Sequence, residues 1–186
     1  MKKVLATAIA LLPLIASAQY FEMTPDGIVS VEDNAKRYVV VPMEGTQAEL
    51  FNKAKTAVTT MWNSPKDVLS YNEPDVIIVN GYYGGIYVKT IGITNYFDMH
   101  YRLQLMFKDG KVRIELAADK ATAQGKNGTY YFCAGKNSMM QSIAYVFDDK
   151  GKLKQKGVKE QVENYFNTLV AALVDKIKGG AASDDW

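Results

Sequence analysis

The stretch that most constrains the fold is YFDMHYRLQLMFKDGKVRIELAAD, positions 96 to 119. Apolar residues occupy every second position on both sides of Asp109-Gly110, a dipeptide typical of two-residue hairpin turns. Such a turn pairs Lys108 with Lys111, and the same register joins apolar to apolar and polar to polar positions. These pairs are Phe107–Val112, Leu105–Ile114 and Leu103–Leu116 on one face, and Gln104–Glu115 and His100–Asp119 on the other. The sequence therefore predicts an antiparallel hairpin with one apolar face.

Two segments carry helical patterns. Thr46 and Glu49 form a capping box at the start of the first segment, and Pro65 ends it because proline cannot continue the hydrogen bonding. Its apolar residues are Leu50, Phe51, Ala54, Ala57, Val58, Met61 and Trp62. The second segment spans positions 158 to 177 and carries an apolar stripe at helical spacing. The stripe consists of Val158, Val162, Tyr165, Phe166, Leu169, Leu173 and Ile177.

Strand patterns lie between these helices and before them. Arg37–Met43 is β-branched, and Pro42 near its end favours an edge strand. VLSYNEPDVIIVNGYYGG, positions 68 to 85, indicates strand, turn and strand, and a less regular connection follows over Ile86–Asn95. The order of elements predicts an α+β fold, in which an antiparallel sheet carries two helices packed on one face.

The first 18 residues have the pattern of a cleavable signal peptide. MKK is basic, VLATAIALLPLIA is apolar but too short to span a membrane, and ASA supplies a cleavage site between Ala18 and Gln19. We therefore expect export to the periplasm or the exterior. The sequence predicts that the mature chain has three parts: an N-terminal arm or TPDG hairpin over 19–36, a single domain over 37–178 and a flexible tail over 179–186.

The charge balance argues against a nucleic-acid partner. The full chain has 22 lysines and arginines and 20 acidic residues. Removal of the signal peptide takes away Lys2 and Lys3, which leaves 20 residues of each sign. No basic excess then remains to neutralise phosphates, which dominate nucleic-acid affinity.

Several short segments together carry a resemblance to a known family. They are, in order, MTPDGIVS, ELFNKAKTAV, NSPKDVLS, IIVNG, FDMHYRLQLMFKDGKVRI, DDKGKLK and DDW. The chain resembles a family of exported proteins from Gram-negative gut anaerobes, a domain of unknown function with a fold like that of the TATA-binding protein (TBP-like). The resemblance implies strand, helix, four strands and helix over about Arg37 to Lys178. It implies no activity, and a shared fold does not transfer DNA binding.

Candidate catalytic groups are few. His100 is the single histidine, and the predicted register places Asp119 opposite it, as for a general base oriented by a carboxylate. An exposed cross-strand pair is the favoured interpretation, because no nucleophile elbow accompanies it. Cys133 is the single cysteine, which excludes an internal disulfide, and its apolar setting YYFCAG favours a buried thiol over a nucleophile. We expect no catalytic residue, no cofactor and no enzyme activity.

Two further motifs are interpreted as ordinary turns. Asp148 and Asp149 precede Gly151 as in calcium loops, but intervening lysines break the alternation of ligands that such loops need. Asn127-Gly128-Thr129 matches a glycosylation sequon and equally a plain turn. We therefore predict no metal site.

The last residues, SDDW, combine two acids with a tryptophan. Tryptophan is enriched where proteins interact, so Ser183–Trp186 is expected to dock on a partner or back on its own domain. A frayed, solubilising end is the alternative.

The stretch NGYYGGIYV, positions 80 to 88, contains three glycines and three tyrosines. A phosphate-binding loop would need a helix after the glycines, and IYVKTIG is β-rich instead. The glycines are therefore predicted to bend or bulge the chain as it leaves a strand. Tyr82, Tyr83 and Tyr87 remain candidates for a ligand surface if they are exposed.

The favoured function is non-catalytic binding of a protein or a glycan in the cell envelope or outside the cell. A polar sheet face of mixed charge suits such partners better than a polyanion. The alternatives are a hydrolytic enzyme whose site the sequence does not reveal, and a structural subunit of an envelope assembly.

Overall fold

The computed structural model describes residues 19–62, 64, 68–90, 93–118, 120–123, 129–131 and 146–179. Ala18, Asp119, Asn127, Cys133 and Ser183–Trp186 lie outside the described residues, so the expectations for them stay predictions. In the described part of the chain, no helix is long and apolar enough to cross a membrane.

The described chain forms nine strands and two helices. The strands are β1 (Phe21–Thr24), β2 (Gly27–Ser30), β3 (Tyr38–Pro42), β4 (Leu69–Asn72), β5 (Val76–Thr90), β6 (Ile93–Lys108), β7 (Lys111–Ala117), β8 (Lys120–Ala123) and β9 (Thr129–Tyr131). The helices are α1 (Gln47–Met61) and α2 (Lys156–Lys178). Five antiparallel strands have the order β3-β7-β6-β5-β4, β8 extends this sheet beside β6, β9 pairs with β8, and β1 and β2 form a separate hairpin.

The α+β fold predicted from the sequence is confirmed. Every second residue of the central strands is buried beneath α1 and α2, which both lie on one face of the sheet. The β6–β7 hairpin has the predicted register, with Lys108 opposite Lys111 and Leu103 opposite Leu116. Strand β3, which ends at Pro42, lies at the sheet edge, where the missing N–H of proline breaks no pairing.

Helix α1 begins where the sequence predicts it, and the bounds of α2 lie within two residues of the predicted ones. Thr46 and Glu49 form the capping box of α1, with Thr46 N–H donating to Glu49 Oε2 at 2.8 Å. The α2 stripe is wider than predicted, because Asn167, Val170 and Val174 are also buried. The extra width follows from the β1–β2 hairpin, which packs on a second side of α2.

Asn167 fastens this hairpin to α2. Its Oδ1 accepts hydrogen bonds from the backbone N–H groups of Tyr20 at 2.7 Å and Phe21 at 2.9 Å. Its Nδ2 donates to the backbone carbonyl of Phe21 at 2.9 Å. Phe21 and Met23 are buried alongside, so the hairpin, one of the two alternatives predicted for residues 19–36, packs on the core.

The less regular connection predicted over Ile86–Asn95 is wrong for its described residues. Strand β5 runs on to Thr90, and β6 begins at Ile93, with Tyr87 opposite Tyr96 and Thr90 opposite Ile93. The irregularity is confined to one bulge between Tyr83 and Ile86. Pairing with β6 therefore overrides the local preference of glycines for loops.

Candidate functional site

The sheet face opposite the helices is called the outer face. Along β6 the residues Phe97, Met99 and Tyr101 are buried in the core. The alternate residues Tyr96 and His100 are exposed on the outer face, and the half-buried Asp98 lies between them. This alternation follows from the period of two in a β-strand.

The bulge in β5 brings Tyr87 to the outer face. Before the bulge Tyr83 lies opposite Met99, and after it Ile86 lies opposite Phe97, so β5 contains one extra residue. The extra residue exchanges the two sides of the strand: Ile86 becomes buried, and Tyr87 lies opposite Tyr96. The bulge contains Gly85 with a φ of 83°, a conformation that glycine adopts without strain.

Three tyrosines of the outer face are exposed and are called here the tyrosine surface: Tyr82, Tyr87 and Tyr96. They are 53%, 45% and 52% exposed, respectively. Of the three tyrosines chosen from the sequence, Tyr82 and Tyr87 are therefore at the surface. Tyr83 is not, because its ring points to the helices and stacks on Tyr165 with centroids 3.8 Å apart. Tyr96 is not among the residues chosen from the sequence. Its position opposite Tyr87 would have identified it, but the segment Ile86–Asn95 was predicted to be an irregular connection and not two paired strands.

Asp98 holds the centre of the tyrosine surface. Its Oδ1 accepts a hydrogen bond from the backbone N–H of Gly85 at 3.4 Å. A hydrogen bond between the Tyr82 hydroxyl and the Asp98 carboxylate raises the pKa of Tyr82 above its ordinary value. The Tyr82 ring also lies close to Gly84, where an added Cβ would approach Tyr82 Cε1 to 2.9 Å. The Asp98 carboxylate is thus held in place on the tyrosine surface by its hydrogen bonds to Gly85 and Tyr82.

A polar cavity adjoins the tyrosine surface. Its volume is about 370 Å³, and its lining includes Arg37, Asn80, His100 and Arg102. The His100 ring connects the two features, since its centroid is 5.3 Å from that of Tyr82. The guanidinium of Arg37 donates to the backbone carbonyl of Asp26 at 2.9 Å, which leaves other N–H groups of that side chain for a ligand.

Buried tyrosines support this end of the sheet from below. An added Cβ at Gly81 would come within 2.1 Å of Tyr101 Cζ, so Gly81 serves the close approach of that ring. The predicted role of Gly81 in a bend or bulge is wrong, and the bulge lies further along. The Tyr101 and Tyr165 hydroxyls are 3.2 Å apart, and burial raises the pKa of Tyr165 well above its ordinary value.

Asp148 and His100 are the other candidates from the sequence that have contacts among the described residues. Asp148 Oδ1 accepts the backbone N–H groups of Lys150 at 3.0 Å and Lys152 at 2.8 Å, which matches the predicted turn. Among described residues, no group of three histidine, cysteine or acidic side chains could hold a metal ion. His100 contacts Tyr82, and its predicted partner Asp119 lies outside the described residues.

The part of the chain that forms the five-stranded sheet matches a known family model. Residues 38–118 match the family model DUF4468, a domain of unknown function with a TBP-like fold. This segment of the chain is therefore similar to that family. The matched segment runs from the start of β3 to the residue after β7, and so contains α1, the five-stranded sheet and the whole tyrosine surface.

Solved structures show the same fold over a longer stretch. A TBP-like protein from Parabacteroides distasonis has a TM-score of 0.54 and 16% identity, covering 77% of this chain and 92% of its own. A DUF4468 family protein from Bacteroides ovatus has a TM-score of 0.56 and 12% identity, covering 80% of this chain and 88% of its own. No curated protein sequence matches the chain. At such identities the likeness concerns the fold alone.

Proposed function

We propose that this protein is a non-catalytic binding protein of the cell envelope or extracellular space, and that the tyrosine surface holds a glycan. The observation that carries the proposal is the grouping of Tyr82, Tyr87 and Tyr96 around Asp98 on a face that neither helix covers. Binding sites for small polar ligands combine apolar rings with a few fixed polar groups. The Asp98 carboxylate accepts hydrogen bonds, and the adjoining cavity supplies donors from Arg37 and Asn80.

Charge supports a neutral or mixed-charge partner over a polyanion. Asp98 lies at the centre of the tyrosine surface, while Arg37 and Arg102 lie at its border. A uniformly charged ligand would meet repulsion from one of these groups. The proposed export of the chain, on the evidence of the N-terminal 18 residues, would bring this face into contact with surface glycans.

The experiment is a glycan array with the chain that begins at Gln19, followed by calorimetric titration of the best ligand. A ligand that covers one of these half-exposed rings gains about 1–1.5 kcal/mol, so Tyr82→Ala, Tyr87→Ala and Tyr96→Ala should each weaken binding about tenfold. Asp98→Asn should weaken binding as well, because its charge-assisted hydrogen bonds are lost.

Tyr71→Ala is the matched control. Tyr71 is 53% exposed, as Tyr82 is, but lies on the helix side of the sheet, where its ring centroid is 6.1 Å from that of Phe51. Glycan affinity should be unchanged in this variant. Equal losses at Tyr71 and Tyr82, or the absence of any glycan ligand, would contradict the proposed site.

The remaining alternatives have their own tests. A protein partner would use the same tyrosines as an interaction hot spot, and a pull-down from native envelope would reveal it. Turnover on a panel of hydrolase substrates, abolished by His100→Ala, would show that the protein is an enzyme. Stoichiometric co-purification with an envelope complex would favour a structural subunit.

A further inference from the structure

A second depression lies at the other end of the outer face and is called here the edge groove. It is a cavity of about 590 Å³ lined mainly by residues of β3, β6 and β7, including Tyr38, Val40, Met106, Lys108, Lys111 and Arg113. Gln47 of α1 and Asp75, which precedes β5, complete the lining. Val40 is 46% exposed and Met106 is 38% exposed, and both lie directly opposite Arg113 in the sheet. Adjacent exposed apolar side chains in a concave setting are typical of a surface that another segment covers.

The lining of the edge groove contains three cations, Lys108, Lys111 and Arg113, and one acid, Asp75, which accepts a hydrogen bond from the Gln47 amide at 2.9 Å. Lys108 and Lys111 flank the β6–β7 turn and form no ion pair with any residue that the structure describes. The Arg113 guanidinium stacks on Tyr38, with Cζ 3.7 Å from the ring centroid, and pairs with Glu115 at 2.6 Å. Arg113 Nε is buried without a hydrogen-bond partner among described residues. An acidic segment with an apolar side chain would complement this groove in charge and in shape.

The chain supplies such a segment close by. Helix α2 ends at Lys178, and Gly179 with a φ of 87° turns the chain out of the helix. Lys178 lines a depression of about 520 Å³ together with Pro42 and Gly110. Pro42 lies opposite Lys111, whose side chain belongs to the edge groove, so the chain leaves α2 beside that groove.

The length of the following segment is sufficient. Residues 180–186 have the sequence GAASDDW, four small residues and then two acids and a tryptophan. Seven extended residues span up to about 24 Å. From Pro42 to Met106 the path crosses two strand spacings and two residue pairs, which amounts to about 12 Å.

We propose that residues 180–186 fold back over the β3 edge and dock in the edge groove of the same molecule. Trp186 covers Val40 and Met106, and the carboxylates of Asp184 and Asp185 pair with Lys108 and Lys111. The Ala and Ser residues before them pass over the depression beside Pro42. The edge groove is separate from the tyrosine surface, so docking of this segment does not depend on glycan binding and is tested separately.

The test measures how strongly acrylamide quenches the fluorescence of Trp186 in the full chain. The difference in fluorescence between the wild type and Trp186→Ala isolates its emission from that of Trp62, the other tryptophan. A short tether gives an effective concentration of about 1 mM, so a docking dissociation constant of about 0.5 mM leaves about two thirds of the segments docked. Acrylamide quenching of Trp186 should then be about threefold weaker than in the free heptapeptide GAASDDW, and 1 M salt should reduce this protection.

Charge reversal locates the docking site. Lys108→Glu with Lys111→Glu should abolish the protection of Trp186, and adding Asp184→Lys with Asp185→Lys should restore it. Lys150→Glu with Lys152→Glu is the matched control, because these exposed lysines also flank a turn and lie outside the groove. Melting temperature verifies the folding of each variant.

Three results would overturn the proposal. The first is quenching of Trp186 in the wild type equal to that of the free peptide. The second is protection that survives reversal of both groove lysines in a folded variant. The third is protection that disappears on dilution, because it would show that the occupant is a second copy of the chain.

Discussion

Replacement of Asn167 by alanine tests how the N-terminal hairpin is held to α2. The side chain is buried and makes three hydrogen bonds to the backbone of Tyr20 and Phe21, at 2.7, 2.9 and 2.9 Å. Each bond contributes about 1 kcal/mol net, and the buried N–H and carbonyl of Phe21 lose their partner without gaining water. We therefore expect Asn167→Ala to lower the free energy of unfolding by about 3 kcal/mol.

The assay is urea denaturation combined with thermal unfolding. A loss of 3 kcal/mol corresponds to a decrease in melting temperature of about 6–12 °C for a chain of this size. Amide hydrogen exchange should accelerate in β1 and β2, while the amides of α1 stay protected. Thr168→Ala is the control, because Thr168 is exposed at the next position of α2 and should change the free energy by less than about 0.5 kcal/mol.

Asn167→Asp separates the two kinds of hydrogen bond. At neutral pH the carboxylate of Asn167→Asp accepts from the two N–H groups but has no donor for the Phe21 carbonyl, so this variant should be less stable than the wild type. At low pH the protonated carboxyl regains an O–H donor, so its stability should approach that of the wild type at the same pH. If Asn167→Ala unfolds within about 0.5 kcal/mol of the wild type, the reasoning is refuted. Burial of Phe21 and Met23 would then suffice to hold the hairpin.

Two further predictions concern glycine and a helix cap. Gly81→Ala should lower the free energy of unfolding by about 3 kcal/mol in urea denaturation, because the new Cβ meets the rigid ring of Tyr101 at 2.1 Å. Gly157→Ala, where the new Cβ has no atom within 4 Å, should instead raise the free energy of unfolding by about 0.5–1 kcal/mol. Equal effects at the two sites would contradict the steric reasoning. The hydrogen bonds from Thr46 lower the pKa of Glu49, so its contribution to stability is present above the ordinary carboxyl range and is lost as pH falls through the folded-state pKa. The difference in free energy of unfolding between the wild type and Glu49→Gln should therefore shrink as pH falls through the folded-state pKa of Glu49. A difference that does not change with pH would argue against a stabilising cap.

Local signals predicted much of this fold. The β6–β7 register followed from Asp109-Gly110 and from the period of two, because both act between residues near in sequence. The start of α1 followed from Thr46 and Glu49 for the same reason. Such features depend on no residue that is distant in sequence, so they can be predicted from one sequence without knowledge of the fold.

Features that depend on distant partners were missed. The glycines of NGYYGGIYV indicated a strand end, yet β5 is regular at Gly81, which lies opposite Tyr101 and beneath its ring. Tyr96 became part of the candidate site only through its register opposite Tyr87. Asn167 is not part of the predicted apolar stripe, because nothing near it in sequence shows that the hairpin at Phe21 packs there.

A helix side chain borders the far half of β5 on the side away from β6. Strand β4 pairs only with Val76–Val79, so beyond that point the side of β5 away from β6 has no neighbouring strand among described residues. The Gln161 amide takes that place, since it accepts from Tyr87 N–H at 3.2 Å and donates to the Tyr87 carbonyl at 3.1 Å. A side chain thus occupies the hydrogen bonds through which a foreign strand would add. Replacement of Gln161 by alanine would therefore expose these two backbone groups of Tyr87 to pairing with a strand of another molecule.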